Sequence, residues 1–492
     1  MTRPRSRRSL PVRVARVRAT RLAVALALTF TAACTGGGAD GGTERGASAG
    51  AGVAAGSAAD SRHIFVASGR DVTGKGGIRQ QLIDDWNAAQ EEEAGDDAYQ
   101  AHLVELSGSA DQQRSQLLGA LQSGSAQYDV LNLDVTWIPE FAAAGLIGTL
   151  DESLIDDDVI ASVGSTARWN GDVYAAPFNS DVGLLYYRPD YLKEAGLTDS
   201  DLSKGVKTWS ELEEVIDVVN SRKPRKYEKG WTTQLEPYEG RTVNAIEAFA
   251  SADNGPALTD GEGRYTGTVQ GLENGVTELR KRTADPLTLP DADTSDEAES
   301  LSDFAAGRTA FLRHWPYAYG ALHQIFEAGQ LGVMPLPGKA VLGGQNLAVA
   351  RSSGHAEVAE DLIRFLTDRE SQCRLLQAGF AATRESAYDE GADTCKEKSD
   401  NGAPTEGSGE STDRMPRDDQ GRPAYASRTL LTALKNAAQR PRTPHYGAFT
   451  HALITALGPL FSDSPPNDRQ LAEALDKALR EALPTADRRW IG

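Results

Sequence analysis

The stretch "HIFVASGRDVTGKGGIRQQLIDDWNAA", residues 63–89, joins a short apolar run to an amphipathic segment through a glycine-rich loop. The apolar run has the length of a strand, and the segment near 78–90 has helical character. Two similar units follow, "AHLVELSG" before "DQQRSQLLGALQSG" and "YDVLNLD" before "WIPEFAAAGL". Repeated alternation of strand and helix predicts an α/β fold with mainly parallel sheets.

The loop at 69–77 has the layout of a phosphate-cradling loop. The spacing from Gly69 to Gly74 and Lys75 nearly matches the pattern G-x-x-x-x-G-K-[ST]. The residue after Lys75 is Gly76, so the hydroxyl group that would ligate Mg²⁺ is missing. Glycines in such a loop also allow a tight turn or a close approach of the backbone to another ligand.

The first residues predict export. Residues 1–33 combine eight arginines and no acidic residue with the apolar run "LAVALALTFTAA", which is typical of a signal peptide. The following Cys34, in "TAAC", resembles the lipidated cysteine of bacterial lipoproteins. Residues 34–61 are rich in Gly, Ala, Ser and Thr and are predicted to form a flexible tether. The pair Arg7-Arg8 leaves the choice between Sec and twin-arginine export open.

The charge of the exported body excludes several partners. Removing the leader takes the formal net charge from −19 to −27, which disfavours nucleic acid and anionic membrane surfaces. The remaining length, about 430 residues, predicts two domains. Seven scattered histidines show no ligand spacing, so neither a metal site nor a cofactor is predicted.

Three local features complete the interpretation of the body. Cys373 and Cys395 are an even pair in an oxidising compartment, which favours a disulfide. The polar, turn-rich segment 391–423 is predicted to be a mobile surface insertion. The run "SELEEVIDVVN" predicts a helix with Ser210 as its N-cap.

Eight segments stand in a characteristic order and spacing along the exported body: "ASGRDVTGKGGIRQQLIDDWN", "SADQQRSQLLGALQSGSAQYDVLNLDVTWIPEFAAAGLI", "VYAAPFNSDVGLLYYRPDYL", "PYEGRTVNAIEAF", "FLRHWPYAYGAL", "VMPLPG", "GGQNLAVA" and "GFAATRESAYD". Through them, nearly the whole exported body resembles the family 1 extracellular solute-binding proteins of bacterial ABC importers, the maltose- and trehalose-binding group.

The resemblance implies a two-lobed periplasmic-binding-protein-like fold with an interlobe hinge and a ligand cleft. It implies a first crossing between lobes near Pro177 to Asn179 and a return near Leu331. The implied boundaries are 63–177 and 331–379 for the N-terminal lobe, and 178–330 and 380–492 for the C-terminal lobe. In this arrangement the glycine-rich loop at 69–77 lies at the rim of the cleft.

Residues near the predicted strand ends are the first candidates for ligand contact. Asp134 follows an apolar strand at the end where α/β sheets present ligands, although it could instead cap the next helix. Trp137 could be a stacking surface or an ordinary core residue. Asn179 and Asp181 lie at the implied crossing, and their alternative role is in turn chemistry.

Later candidates come from loops that the resemblance places in the cleft. Tyr238 and Glu239 open a helix, whose N-terminus Glu239 could simply favour. Trp315, next to Pro316, is the best candidate for an aromatic platform under a sugar.

The remaining candidates are backbone and polar anchors. Gly344 and Gln345 would offer backbone N–H groups at a turn, although the family often has an aromatic residue where Gln345 stands. Arg384 would be a polar anchor or a structural ion-pair partner. Arg70 and Asp71 are weaker candidates from the opening loop.

These features predict a non-enzymatic, monomeric, lipid-anchored receptor on the outer face of the cell membrane. It would close its lobes on a di- or oligosaccharide and deliver it to a membrane permease. A secreted glycoside hydrolase would also need aromatic residues and paired carboxylates, and a surface sensor or adhesion module on the same scaffold stays open as well.

Overall fold

Two β-sheets, each assembled from strands that are distant in the chain, organise the protein. The computed structural model describes residues 62–70, 77–198, 206–253, 255–327, 329–389, 395 and 414–485. The predicted signal peptide, Cys34 and the tether therefore lie outside the described residues. Among those described, no helix is both long and apolar enough to cross a membrane.

The strands and helices alternate along most of the chain. The strands are β1 (His63–Gly69), β2 (Gln100–Leu106), β3 (Val130–Asp134), β4 (Arg168–Trp169), β5 (Asp172–Val173), β6 (Ala176–Val182), β7 (Leu184–Tyr187), β8 (Lys229–Thr232), β9 (Thr309–His314), β10 (Gly332–Pro335) and β11 (Leu342–Val349). The described α-helices are α1 (Ile78–Ala94), α2 (Ala110–Gln122), α3 (Ile138–Ala143), α4 (Ala161–Gly164), α5 (Pro189–Glu194), α6 (Trp209–Arg222), α7 (Glu239–Ser251), α8 (Val269–Thr283), α9 (Glu297–Ala305), α10 (Ala318–His323), α11 (Ala356–Leu366), α12 (Arg369–Gln377), α13 (Leu431–Asn436), α14 (Tyr446–Leu457) and α15 (Asp468–Ala482).

The sheets are mixed rather than mainly parallel. In the first sheet, of order β2-β1-β3-β11-β6, β1 runs parallel to β2 and β3, and β11 runs antiparallel to β3 and β6. In the second, of order β10-β7-β9-β8, one pair, β8 with β9, is parallel. The expectation of mainly parallel sheets is therefore wrong, because late strands return antiparallel between early ones.

The chain changes sheets at two neighbouring points. It leaves β6 of the first sheet for β7 of the second at Gly183, and it returns between β10 and β11, over residues 336–341. Pro177 to Asn179 are still paired within the first sheet, so the first crossing lies slightly later than predicted. The return also lies after Leu331, since the next residues form β10 of the second sheet.

The two crossing segments touch each other. The Gly183 amide donates to the carbonyl of Val341 at 3.4 Å. A Cβ at position 183 would stand 2.3 Å from Glu247 Oε1 and 3.0 Å from Arg313 Nη2, so only glycine fits there without displacing these groups. Close packing at this point explains why the strands of the two sheets can follow each other without a loop.

Apolar side chains on both faces of the first sheet form its core. Ile64, Leu82, Trp86 and Leu362 are buried on one face, where α1 and α11 pack. Burying each such side chain contributes roughly 1.5–3 kcal/mol. This core holds the ends of β1 and β3 in fixed positions, and those ends support the cavity described below.

Helix starts are set by side-chain caps, and one predicted cap is wrong. Helix α6 begins at Trp209, and Thr208, rather than Ser210, is its N-cap. The Glu211 amide donates to Thr208 Oγ1 at 3.2 Å, and the Thr208 amide donates to Glu211 Oε2 at 2.8 Å. The reciprocal pair of Thr208 and Glu211 satisfies two amide groups, which Ser210 could not do from inside the first turn.

A disulfide links helix α12 to the polar insertion. Cys373 and Cys395 are bonded, with their Cα atoms 5.3 Å apart. The last part of the insertion, residues 414–423, is packed: Met415 is buried, and Arg422 is buried in an ion pair with Asp418 at 2.7 Å. The expectation of a mobile segment is wrong for these residues; 391–394 and 396–413 lie outside the described residues.

Candidate functional site

A cavity of about 710 Å³ is lined by residues of the first sheet, by helix starts, and by loop residues that include Trp315, directly after a strand of the second sheet. The first sheet contributes Asp134, Asp181 and the consecutive residues 343–345, and the start of α2 forms one rim. Trp315, directly after β9 of the second sheet, and the loop before α7 form the opposite wall.

Negative charge dominates this cavity. Six carboxylates line it: Asp134, Asp181, Glu236, Glu239, Asp296 and Glu297. Among the described lining residues, Arg440 is the one lysine or arginine. No group of three or more His, Cys, Asp or Glu among the described residues has metal-binding geometry. The cavity is therefore an acidic site without a recognisable metal-ligand set in that part of the chain.

Arg440 bridges two of the carboxylates. Its Nη2 lies 2.9 and 3.0 Å from the two oxygens of Asp134, and its Nη1 lies 2.7 Å from Glu239 Oε1. The arginine side chain is 2 % exposed. Glu239 also accepts from the hydroxyl groups of Tyr446 and Thr450, and its burial raises the pKa of this carboxyl while Arg440 opposes the rise. Both carboxylate oxygens of Glu239 thus have protein partners.

Asp134 combines the two roles that its position in the sequence suggests. It ends β3 and lines the cavity. Its Oδ1 accepts hydrogen bonds from the backbone amide of Thr136 at 2.8 Å and from Thr136 Oγ1 at 2.7 Å. The carboxylate therefore fixes the turn after the strand and keeps Arg440 in place at the same time.

Glu297 fixes the two aromatic rings of the cavity. Tyr238 donates its hydroxyl to Glu297 Oε2 at 2.6 Å, and Trp315 Nε1 donates to Oε1 at 3.3 Å. The guanidinium of Arg313 lies 3.9 Å from the centroid of the Trp315 ring. Burial raises the pKa of Tyr238 most, because a phenolate is poorly solvated there. The negative charge of Glu297 raises it further, because it would repel a phenolate. Tyr238 therefore stays a neutral hydroxyl.

The Asp181 side chain lines the cavity. Among the described residues, no hydrogen bond or ion pair holds its carboxylate. Burial raises the pKa of Asp181 to about 7, with Asp134 raising it further and the charges of Arg79 and Arg313 opposing the rise. This carboxyl is consequently poised between its neutral and ionised forms near neutral pH.

A buried polar network supports the cavity floor from behind. Gln345 lines the cavity, and its Oε1 accepts from Arg79 Nη2 at 2.6 Å and from Asn132 Nδ2 at 2.7 Å. Asn179 is buried in the same network, with its Oδ1 3.4 Å from Arg79 Nη2, and it does not line the cavity. Asn179 therefore acts behind the cavity wall rather than in it.

Gly344 and Gln345 belong to a strand and not to the predicted turn. With Gly343 they lie in β11, opposite residues 179–181 of β6, and the register shifts between Gln345 and Asn346. Gly344 has φ +104°, and a Cβ there would stand 2.5 Å from the carbonyl oxygen of Asn179. A Cβ on Gly343 would stand 3.1 Å from both Asp181 Cβ and Trp315 Cζ3. The strand can pass between these side chains because it carries none.

Three predicted residues lie away from this cavity. Trp137 is a core residue that stacks on Phe141. Arg384 forms an ion pair with Asp156 at 2.8 Å, which is the structural alternative for this residue. Arg70 is exposed after β1 and does not line the cavity. Asp71, with the rest of the loop 71–76, lies outside the described residues.

A second cavity adjoins the first. Its volume is about 600 Å³, and it is lined by Trp169, Phe249 and Arg442 among others. Arg440 lines both cavities. Its guanidinium therefore forms part of the wall between the two cavities.

Sequence reasoning missed Arg440 and Glu297. Arg440 stands in the proline-rich stretch "QRPRTP", which has no periodicity that could place it. Glu297 was detectable in principle, because Asp296 and Glu299 form the capping box of α9 and place Glu297 in its first turn. A capping motif gives the helix start, however, and does not indicate that the turn faces a cavity.

Comparison with known proteins decides the family. Residues 88–372 match the family model of bacterial extracellular solute-binding proteins. This protein belongs to that family. Its two-lobed periplasmic-binding-protein fold agrees with solved structures. The maltose-bound MalE3 of T. maritima, 22% identical, superposes with a TM-score of 0.67, and the match includes 86% of this solute-binding protein and 100% of MalE3.

The names of other similar proteins give different solutes or none. The GacH receptor of Streptomyces glaucescens, solved unliganded and with acarbose, covers 87% of this chain and 99% of its own at 17% identity and a TM-score of 0.67. A probable ABC transporter-binding protein of Deinococcus radiodurans is 32% identical over 58% of this solute-binding protein and 69% of its own length. The maltotriose-binding protein of Pyrococcus abyssi is 26% identical over 41% and 40% respectively. The GacH structure is 17% identical and the maltotriose-binding protein is matched over 40% of its length, so these comparisons do not identify the solute of this chain.

Proposed function

We propose that this solute-binding protein captures a di- or oligosaccharide of the trehalose or maltose type in the 710 Å³ cavity and delivers it to an ABC permease. The observation that carries the proposal is the pairing of Trp315 and Tyr238 through Glu297, beside carboxylates that face the cavity. Aromatic rings suit the apolar faces of a sugar, and carboxylates accept hydrogen bonds from its hydroxyl groups. The cavity volume falls within the range of roughly 300–1,000 Å³ that is usual for small-molecule sites.

A second candidate ligand is an anionic glycerol phosphate. Relatives include the sn-glycerol-3-phosphate-binding protein UgpB of Salmonella paratyphi A, 26% identical over 40% of this chain and 45% of its own. The six carboxylates of the cavity disfavour this ligand here, since like charges in a partly buried site repel each other. We therefore favour a ligand without negative charge.

The transport role rests on conformational closure and requires no chemical step. Gly183 and Val341 place two crossing segments side by side, as a hinge requires. A ligand that contacts both walls stabilises the closed arrangement in proportion to that additional contact. Residues 1–61 would supply export and a lipid anchor at Cys34, so that the monomeric receptor stays at the outer face of the membrane.

A thermal-shift screen of residues 62–492 tests the proposal. The panel contains neutral di- and oligosaccharides, with sn-glycerol 3-phosphate as the anionic competitor. A ligand at 100 times its dissociation constant adds about 2.7 kcal/mol of stability, which gives a measurable shift. Recovery of an unchanged sugar supports a receptor, and turnover of aryl glycosides would support the hydrolase alternative. Binding of the phosphate alone would overturn the saccharide assignment.

Trp315→Ala, with Trp315→Phe as the conservative control, then locates the site. Loss of the stacking surface should weaken sugar binding at least about tenfold, and phenylalanine should restore most of it. Equal affinity in all three proteins would mean that the sugar binds elsewhere. For the anchor, Cys34→Ser in the full-length chain should move the protein from the membrane fraction to the medium.

A further inference from the structure

The charges on the cavity wall are not balanced by protein groups. Arg440 neutralises part of the charge of Asp134 and Glu239. Among the described residues, the side chains of Asp181 and Glu236 have no ion pair or hydrogen bond, and the side chain of Glu297 accepts only from the neutral groups of Tyr238 and Trp315. Asp296 accepts from the backbone amides of Ala298 and Glu299. Four cavity carboxylates therefore lack a paired cation among the described residues.

The cations nearest to Asp181 are engaged elsewhere. Arg313 is paired with Glu247, at 2.7 Å between Nη2 and Oε1. Arg79 donates to Gln345, Ser68 and Gly69. Their charges act on Asp181 at a distance, as does that of Arg440, but none of the three provides a hydrogen bond to it. The Asp181 carboxylate is thus partly desolvated, and none of the described residues compensates this with an ion pair or a hydrogen bond.

Asp181 also lies at the place where a ligand on the aromatic wall would meet it. A Cβ built on Gly343 would stand 3.1 Å from Asp181 Cβ and 3.1 Å from Trp315 Cζ3, so one glycine separates the carboxylate from the indole ring. A sugar ring against Trp315 would then direct a substituent at Asp181. Hydroxyl groups could satisfy its hydrogen-bonding capacity, whereas a cationic substituent would also satisfy its charge.

We propose that the physiological ligand is a basic saccharide, one that carries a protonated amine, and that Asp181 is the residue that pairs with this amine. Glu236 and Glu297 add to the negative potential around it. The inference rests on the proposed saccharide-binding function and specifies the chemical class of the sugar. Anionic sugars are excluded by the same arrangement of charge.

Matched sugar pairs test the inference by isothermal titration calorimetry on residues 62–492. Trehalose, maltose and cellobiose are each compared with the derivative in which one 6-hydroxyl is replaced by an amine. Each amine is protonated at pH 7.5, and the pair otherwise keeps the same scaffold. At least one amino sugar should bind about tenfold or more tightly than its neutral parent, as expected for a charge-assisted hydrogen bond. Raising the salt concentration should weaken the amino sugar more than the parent.

The variant Asp181→Asn assigns the contact. It keeps the shape of the side chain and removes the charge, and the exposed Asp157→Asn serves as a charge-matched control outside the cavity. The preference for the amine should disappear in Asp181→Asn and persist in Asp157→Asn. If it persists in both, the assignment to Asp181 is wrong.

The outcomes separate this inference from the function beneath it. Neutral sugars that bind as tightly as their amino derivatives in the unmodified protein would overturn the basic-sugar inference and leave the saccharide receptor intact. Binding of neither class would overturn the proposed function and the inference together. The comparison in the unmodified protein does not depend on how well any variant folds.

Discussion

Arg313 and Glu247 form a bidentate ion pair whose side chains are 1% and 2% exposed. Glu247 Oε1 also accepts the backbone amide of Val341, in the segment that returns to the first sheet, at 3.2 Å. Arg313 in turn lies against the ring of Trp315. One buried pair therefore connects the crossing segments to the aromatic wall of the cavity.

Removing one partner of this ion pair should destabilise the protein more than replacing both partners by apolar residues. Glu247→Gln leaves the guanidinium of Arg313 buried without its counter-ion, so we expect a loss of about 3–5 kcal/mol in the free energy of unfolding. The double variant Glu247→Leu/Arg313→Met removes both charges and should recover a large part of that loss. Urea denaturation measures both. A single variant that loses less than about 1 kcal/mol would show that the pair is not desolvated as the geometry indicates.

Gly344 should not tolerate a side chain. Its φ of +104° and the 2.5 Å approach of a Cβ to Asn179 O predict that Gly344→Ala lowers the free energy of unfolding by about 1–3 kcal/mol and weakens ligand binding. Gly119→Ala is the matched control, because Gly119 lies within α2 with open space around it. That substitution should be neutral or stabilise the protein by about 0.5–1 kcal/mol. Equal effects at the two positions would contradict the strain argument.

Asp181 should make stability depend on pH. Its pKa is raised from 3.8 to about 7, so between about pH 4 and pH 7 the folded protein keeps a proton that the unfolded chain has lost. The free energy of unfolding therefore falls as pH rises through this window, relative to Asp181→Asn. We expect a difference of about 1–2 kcal/mol, since the carboxylate faces an open cavity. Parallel pH profiles of the two proteins would show that Asp181 is already ionised at pH 4.

Arg440→Met should destabilise the protein and alter the cavity. Removing the guanidinium leaves Asp134 and Glu239 facing each other without their shared cation, at a cost of about 3 kcal/mol. The loss should shrink at low pH, where protonation of the two carboxyl groups relieves their repulsion. Arg442→Met, next to it in the same loop, is the control and forms no ion pair among the described residues. If the two variants are equally stable at pH 7, the bridge contributes nothing.

The sequence allowed much of this site to be predicted, and its failures have physical causes. Asp134, Asp181 and Trp315 line the cavity, and each lies at or next to the end of a strand. Strand ends can be located in the sequence as the limits of apolar runs. Arg440 reaches Asp134 over a separation of 306 residues, which no local pattern can indicate. Arg384 was a wrong candidate for a different reason. The sequence does not distinguish an arginine that binds a ligand from one that forms a structural ion pair, as Arg384 does with Asp156.

The fold shows the same division. The alternation of strands and helices could be predicted from the sequence. The strand order of the first sheet could not, because it depends on β11, a strand from late in the chain that inserts between β3 and β6. Mixed sheets arise from such returns, so local periodicity alone predicted too much parallel pairing. The position of Gly183 as the crossing point became evident only from the side chains that surround it.

The disulfide has a practical consequence for following closure in solution. Residues 62–492 contain two cysteines, and both are joined in the bond between Cys373 and Cys395. A single cysteine introduced at the exposed cavity-lining position Glu236 would then be the sole free thiol of residues 62–492. An environment-sensitive fluorophore attached there would report the arrival of solute at the cavity, which would turn the receptor into an optical sensor for its own unidentified ligand.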